Sequence, residues 1–324
     1  MSPRAWAAFA GVSILWGIPY LFIKVAVDDG VPPVFLAWVR VTLAAAVLLV
    51  LAARAGLLGS VRGRGRVLAI YAIVEIALPF PLIAEGERHV TSSLAAILIS
   101  AVPMIIAVLA LRFDRSERVT GSRLAGLFIG FAGVVLLVGV DVAGQPGELL
   151  GAGAILLAAV GYAVGPMLLN RRLVDLDPRA TMGVSLAVAA FALAPFAAFS
   201  VPDQAPTGDA LVALGVLGLL CTAAAFVLFG MLIVEVGPGR ASIITYIAPV
   251  VAVALGVTVL GESLGAGSIA GLLLILGGSW LSTDGRLPPG LGALVGRLRG
   301  RRGTSERPAL VDRACAAPAS ASSR

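Results

Sequence analysis

Three charged side chains lie inside otherwise apolar stretches of this sequence, where such groups could bind a ligand, a proton or each other. They are Lys24, Arg40 and Glu75. In a helix that crosses a membrane, a central charge costs ~2.5–3.5 kcal/mol, so each of them needs a compensating role. Arg40 could anchor a carboxylate of a ligand, or it could pair with an acidic side chain or with helix-end carbonyls. Lys24 lies four residues before Asp28, near the end of its stretch, where its stem can extend to the lipid headgroups.

Glu75 lies near the middle of its apolar stretch, one helical turn after Tyr71. Because a charge is costly to bury in an apolar medium, a carboxylate at this position is suited to binding and releasing a proton. A permanent ion pair with Arg40 is the alternative. Glu75 is therefore the proton-coupling candidate of the sequence.

Aromatic and hydroxyl side chains form two polar stripes at helical spacing, and lipid would leave their polar atoms unpaired. The stripes are therefore expected to face a cavity, where the rings could stack on an organic molecule, or to form modest hydrogen bonds between helices. The stripes consist of Ser13, Trp16, Tyr20 and Lys24, and of Ser242, Thr245, Tyr246 and Pro249. The candidate substrate-binding residues are Trp16, Tyr20, Arg40, Tyr71, Tyr162, Thr245 and Tyr246.

The composition predicts which secondary-structure elements hold these residues in place. Of the 324 residues, 59% are hydrophobic and only 13% are charged, which is too little polar surface for a soluble protein of this size. A bilayer offers the backbone no water, so each apolar stretch of ~20 residues is predicted to be a spanning helix. Ten such helices are predicted, at 5–26, 33–53, 67–85, 91–111, 121–140, 149–169, 180–200, 209–233, 240–260 and 265–283.

The basic residues predict how these helices are oriented. With the N-terminus inside, 21 of the 24 basic residues fall in cytoplasmic segments, as the positive-inside rule requires. We therefore expect a multi-pass protein of a bacterial inner membrane with both termini in the cytoplasm. Residues 284–324, which are rich in Arg, Gly, Ala, Ser and Pro, are predicted to be a disordered basic tail.

The sequence also repeats itself with a period of 145–146 residues. Trp16 aligns with Tyr162, and Pro103 aligns with Pro249. The predicted repeats are 1–146 and 147–283, and five helices in each would insert the second repeat upside down. Secondary transporters commonly use such inverted repeats and bind their substrates where the repeats meet. An ancient duplication without consequence for transport is the alternative.

Pro103 and Pro249 are candidate helix hinges, because each proline removes a backbone donor and bends its helix. Static kinks that accommodate packing are the alternative. No catalytic residues, metal site or cofactor are predicted, and the only histidine, His89, makes no metal site alone.

The repeat unit resembles the EamA family of the drug/metabolite transporter superfamily over about residues 5–283. The resemblance is carried by Trp16-Gly17, Trp38-x-Arg40, Gly86-Glu87-Arg88-His89, Pro103, Glu117-Arg118, the run that begins at Gly126, Pro249, Gly261-Glu262-x-Leu264 and Ala270-Gly271 with Gly278. It implies ten helices in two halves. It also implies uncoupled or proton-coupled movement of amino acids, related metabolites or toxic organic compounds, often outward.

Taken together, these patterns favour a secondary transporter that exports small organic solutes by alternating access, with the solute and the lipid bilayer as its partners. An intramembrane enzyme and a non-transporting scaffold are the alternatives. An intramembrane enzyme of the lipid-handling type would need a set of aspartates that binds magnesium. Asp28-Asp29 has no third aspartate nearby, and Asp175-x-Asp177 has the wrong spacing. Nucleic acid is not expected, since no basic segment is interleaved with aromatic residues. The oligomeric state is not indicated.

Overall fold

The computed structural model describes residues 2–113, 121–142, 144–237, 241 and 244–282. Every regular element in this part of the chain is helical, with no strand. Eight helices are long and apolar enough to cross a membrane, and two shorter apolar helices complete a set of ten. The protein therefore has the all-α, ten-helix membrane architecture that the sequence predicts.

The ten spans agree with the predicted ones to within a few residues at each end. Spans 1 to 5 are Pro3–Asp28, Pro33–Arg54, Gly65–Glu87, Ser92–Leu109 and Leu124–Val142. Spans 6 to 10 are Pro146–Arg172, Pro178–Ala198, Gly208–Val236, Ile244–Val259 and Ala266–Leu281. The predicted tail and the predicted positions Glu117, Arg118 and Ser242 lie outside the described residues.

Three spans of the first repeat are interrupted where proline removes a backbone donor. Span 1 divides at Ile18, directly before Pro19. Span 3 contains a π-helical segment, Ile73–Ala77, before a new helix begins at Pro79. Span 4 divides after Ile99, and its second helix begins at Val102. The sequence predicts bends at these prolines, but not that the helices stop there.

The contacts between spans follow a symmetric pattern. Span 1 packs against spans 8 and 9, and span 6 packs against the equivalent spans 3 and 4. Span 2 packs against span 7, and span 5 packs against span 10. Replacing each span in these pairs by the one five positions later gives the same set of pairs, as expected when a twofold pseudo-axis relates two five-helix repeats. Because each repeat has five spans, the second is inverted relative to the first.

The connections between spans gather alternately at the two ends of the bundle. At one end, the Asp29 carboxylate accepts a hydrogen bond of 2.9 Å from the backbone N–H of Thr207, which joins connection 1–2 to connection 7–8. At the opposite end, Arg64 donates to Asp175 at 2.9 Å, which joins connection 2–3 to connection 6–7. We call these the Asp29 end and the Arg64 end.

Candidate functional site

Arg40 is buried between spans 2, 3 and 8, with only 7% of its surface exposed. Its Nε donates a hydrogen bond of 2.9 Å to the hydroxyl of Thr222, and its Cζ lies 4.0 Å from the centre of the Phe80 ring. Thr222 in turn donates to the carbonyl of Leu217 at 2.7 Å, within a π-helical segment of span 8. Among the described residues, the guanidinium forms no hydrogen bond with an acidic side chain. A cation–π contact and a hydroxyl therefore hold this charge and leave its Nη groups available.

Two tyrosines from symmetry-related spans accompany Arg40. Tyr20 in span 1 and Tyr162 in span 6 pack against the same apolar cluster and lie near the guanidinium. The Tyr162 ring packs edge-on against Phe80, with 6.5 Å between the ring centroids. Within the described part of the chain, neither tyrosine hydroxyl forms a hydrogen bond, so both can donate to a bound molecule. The structure thus brings together three of the predicted binding residues.

Glu75 lies in the π-helical segment of span 3, before the helix that carries Phe80. Its Oε2 is buried without a hydrogen-bond partner in the described residues, and it faces Gly165 of span 6. It interacts electrostatically with Tyr71, whose hydroxyl lies 3.6 Å from the Met182 sulfur. The ion pair with Arg40 that the sequence left open is not formed, so the carboxylate is free to act independently.

Trp16, Thr245 and Tyr246 belong to a separate group near span 8. The Trp16 ring lies 4.8 Å from Phe229 and 5.9 Å from Phe226, measured between centroids. The Tyr246 hydroxyl donates to a main-chain carbonyl of span 10 at 3.2 Å, and Thr245 lies half-buried beside it in span 9. Of the seven predicted binding residues, three therefore lie in the Arg40 group and three in this aromatic group, whereas Tyr71 lies beside Glu75.

The two predicted hinge prolines occupy different local structures. Pro103 is the second residue of the helix that follows the break in span 4. Pro249 lies inside span 9, in a helix that continues on both sides of it. Whether either residue bends during a working cycle stays a prediction.

Glu87 is a buried charge that the sequence analysis assigned no role. It is fully buried at the end of span 3, two helical turns after Phe80 on the same face. Neither carboxylate oxygen has a hydrogen-bond partner among the described residues. Its seven-residue spacing from Phe80 could have indicated an inward position. It lies in the connection that the sequence predicts between the spans 67–85 and 91–111.

A second missed signal is the pair Gly161 and Gly165 in span 6, whose four-residue spacing is typical of close helix contact. A Cβ atom on Gly161 would lie 2.5 Å from the carbonyl oxygen of Val74 in span 3. These glycines therefore let span 6 approach the carboxylate of Glu75. Among the described residues, no group of three or more His, Cys, Asp or Glu side chains could hold a metal ion.

Comparison with known proteins identifies the family. The model of the EamA-like transporter family matches residues 4–139 and again 149–283. The inner membrane transporter YedA of Escherichia coli K12, described as uncharacterised, is 30% identical over 271 residues, which cover 81% of this chain and 84% of the relative. A protein of Salmonella typhimurium LT2 named "Probable amino-acid metabolite efflux pump" is 26% identical over 288 residues, which cover 85% of this chain and 93% of the relative.

A solved structure shares the fold. It superimposes with a TM-score of 0.62 at 22% identity and covers 86% of this chain and 97% of its own. Two family matches, one for each five-helix repeat, account for almost all the described residues. This chain belongs to the EamA-like transporter family, within the drug/metabolite transporter superfamily.

Proposed function

We propose that this protein exports small organic solutes, namely amino acids or related metabolites, across the bacterial inner membrane. The observation that carries this proposal is the position of Arg40. A buried guanidinium with available donors, held by Thr222 of the other repeat and flanked by Tyr20 and Tyr162, is suited to binding a carboxylate. The site is built from both repeats, as alternating access requires.

The symmetric packing supports alternating access. Two repeats with equivalent contacts can exchange their conformations, and this exchange would expose the Arg40 group first to one side of the membrane and then to the other. The interruptions in spans 1, 3 and 4 supply places where such movement can occur at low cost. Carriage of the solute, rather than its chemical conversion, is the proposed activity.

Direction and solute class are proposed from the relatives. The Salmonella relative is named an amino-acid metabolite efflux pump, and YedA is named an inner membrane transporter. The arginine distribution favours cytoplasmic termini, which would place the Arg64 end in the cytoplasm and the Asp29 end outside. The aromatic group around Trp16 would also suit amphipathic toxic compounds, so these belong in the test.

Counterflow in liposomes tests the proposal directly. The purified full-length protein is reconstituted, loaded with one solute, and supplied outside with the same solute carrying a radioactive label. A panel of amino acids, their metabolites and hydrophobic organic cations is screened with and without a pH gradient. We expect exchange of at least one amino acid or metabolite and its loss in Arg40→Gln. If no member of the panel exchanges, the proposed function is wrong.

A further inference from the structure

Glu87 is a buried acidic residue whose position is not explained by the binding of a solute carboxylate at Arg40. The residue has no exposed surface, and both of its carboxylate oxygens lack hydrogen-bond partners in the part of the chain that the structure describes. A buried acceptor left unpaired loses the favourable interactions that it has in water. A role in binding would explain why this charge is kept inside the bundle.

Lys24 is the nearest cation, but its ammonium group is engaged elsewhere. Its Nζ forms a salt bridge of 3.0 Å with Asp28 and donates a hydrogen bond of 2.9 Å to the main-chain carbonyl of Glu87. Both contacts leave the carboxylate of Glu87 itself available. Lys24 therefore fixes the backbone at the end of span 3 and makes no hydrogen bond to the Glu87 side chain.

Glu87 and Arg40 lie on the same side of span 3. The Phe80 ring, which the Arg40 guanidinium covers at 4.0 Å, is on the same helix face two turns before Glu87. Tyr20 lies near both residues, one helical turn before Lys24, whose ammonium contacts the Glu87 carbonyl. A buried carboxyl group and a buried guanidinium thus lie near each other, and each has polar atoms that no described side chain uses. A molecule that carries both a positive and a negative group would complement this arrangement.

We propose that Glu87 binds the ammonium group of a zwitterionic amino acid whose carboxylate binds Arg40. This inference rests on the proposed transport function and specifies its substrate class. Tyr20, which lies near both residues, would contact the same substrate through its hydroxyl. Solutes that lack either group would leave a buried charge unpaired, and sites of this kind reject such analogues strongly.

The test compares each amino acid with two analogues. Alanine, leucine, phenylalanine and homoserine are each assayed beside the acid without the amino group and the amine without the carboxylate. Counterflow is measured in liposomes, and ligand-dependent melting temperature is measured for the full-length protein in detergent. Glu87→Gln removes the charge at nearly constant size, and Glu85→Gln, an exposed carboxylate two residues earlier, is the matched control.

Consider an amino acid that the wild-type protein exchanges. We expect its analogue without the amino group to bind roughly 10- to 100-fold more weakly, because one charge-assisted hydrogen bond is lost. In Glu87→Gln this preference should disappear, whereas Glu85→Gln should keep it. The wild-type comparison alone tests the inference if the variant does not fold.

Two results would overturn the inference for different reasons. Exchange of organic solutes without a preference for the amino group, or an unchanged preference in Glu87→Gln, would contradict the role of Glu87 and leave the transport function standing. Absence of exchange for every solute, including hydrophobic cations, would contradict the transport function and the inference together.

Discussion

Gly165 of span 6 lies directly opposite the carboxylate of Glu75 in span 3, and the absence of a side chain at Gly165 makes room for it. A Cβ atom on Gly165 would overlap Oε2 of Glu75 and lie 2.7 Å from its Cδ. The two residues come from different repeats and are 90 positions apart in the chain. The glycine thus allows a buried carboxylate to sit at the contact between the repeats.

We expect Gly165→Ala to destabilise the protein by about 1–3 kcal/mol, because the added methyl group would force Glu75 or the two spans apart. Melting temperature in detergent measures the effect. Gly153→Ala, in the same span but with open space around its Cα, should cause no loss. Adding Glu75→Ala to Gly165→Ala should restore stability, and failure to do so would show that the overlap is not the cause.

We expect Glu75→Gln to abolish flux driven by a pH gradient while counterflow of the substrate continues. The glutamine side chain has nearly the same size as glutamate, and Oε2 of Glu75 has no hydrogen bond to lose among the described residues. The fold should therefore be unchanged. Transport in liposomes with and without an imposed gradient separates the two activities. Unchanged proton dependence in this variant, with Glu85→Gln as control, would exclude Glu75 as the coupling residue.

The helices were predictable because the length of an apolar stretch is a local property of the sequence. The partners of Arg40 were not, since Thr222 lies 182 positions away and the contact depends on how the repeats pack. For the same reason, the sequence could not decide whether Glu75 pairs with Arg40. The spacing of Trp16 and Tyr20 predicted that both would line one site. In the structure, Trp16 packs against Phe229, whereas Tyr20 lies near Arg40.

The interruptions of spans 1, 3 and 4 are a second feature that could not be predicted from the sequence alone. The prolines predicted bends, but not whether a helix would continue, as around Pro249, or stop, as before Pro103. Neighbouring helices decide this outcome by satisfying the freed backbone groups. The prolines therefore predicted where the helices deviate from straight spans, but not the form of each deviation.

We expect Glu262→Ala to lower the stability of span 4 by about 0.5–2 kcal/mol, the usual value of an N-terminal helix cap. The Glu262 carboxylate accepts hydrogen bonds from the backbone N–H groups of Ser92 at 2.7 Å and Ser93 at 3.0 Å. Glu262→Gln keeps an acceptor and should lose less. Melting temperatures of both variants test this order, and equal losses would mean that the cap is not responsible.

The pH dependence of stability should include a contribution from Asp177, which lies just outside span 7. Its carboxylate accepts hydrogen bonds from the Arg179 side chain at 3.1 Å and caps the helix by accepting one of 2.9 Å from the backbone N–H of Arg179. The hydrogen bonds from the Arg179 guanidinium hold the pKa of Asp177 below its usual range. The unfolded chain, with an ordinary pKa of ~3.9, therefore binds this proton more readily than the folded protein.

The stabilisation from Asp177 is therefore complete above about pH 5 and is lost as the pH falls through the lowered pKa of the folded protein. We expect Asp177→Asn to melt below the wild type at pH 6–7, and the difference to shrink as the pH is lowered below about 4. Arg179→Gln should reduce the pH dependence as well, because it removes the guanidinium that lowers the pKa. A melting difference that stays constant from pH 7 to pH 3 would show that ionisation of the Asp177 carboxyl group does not contribute to stability.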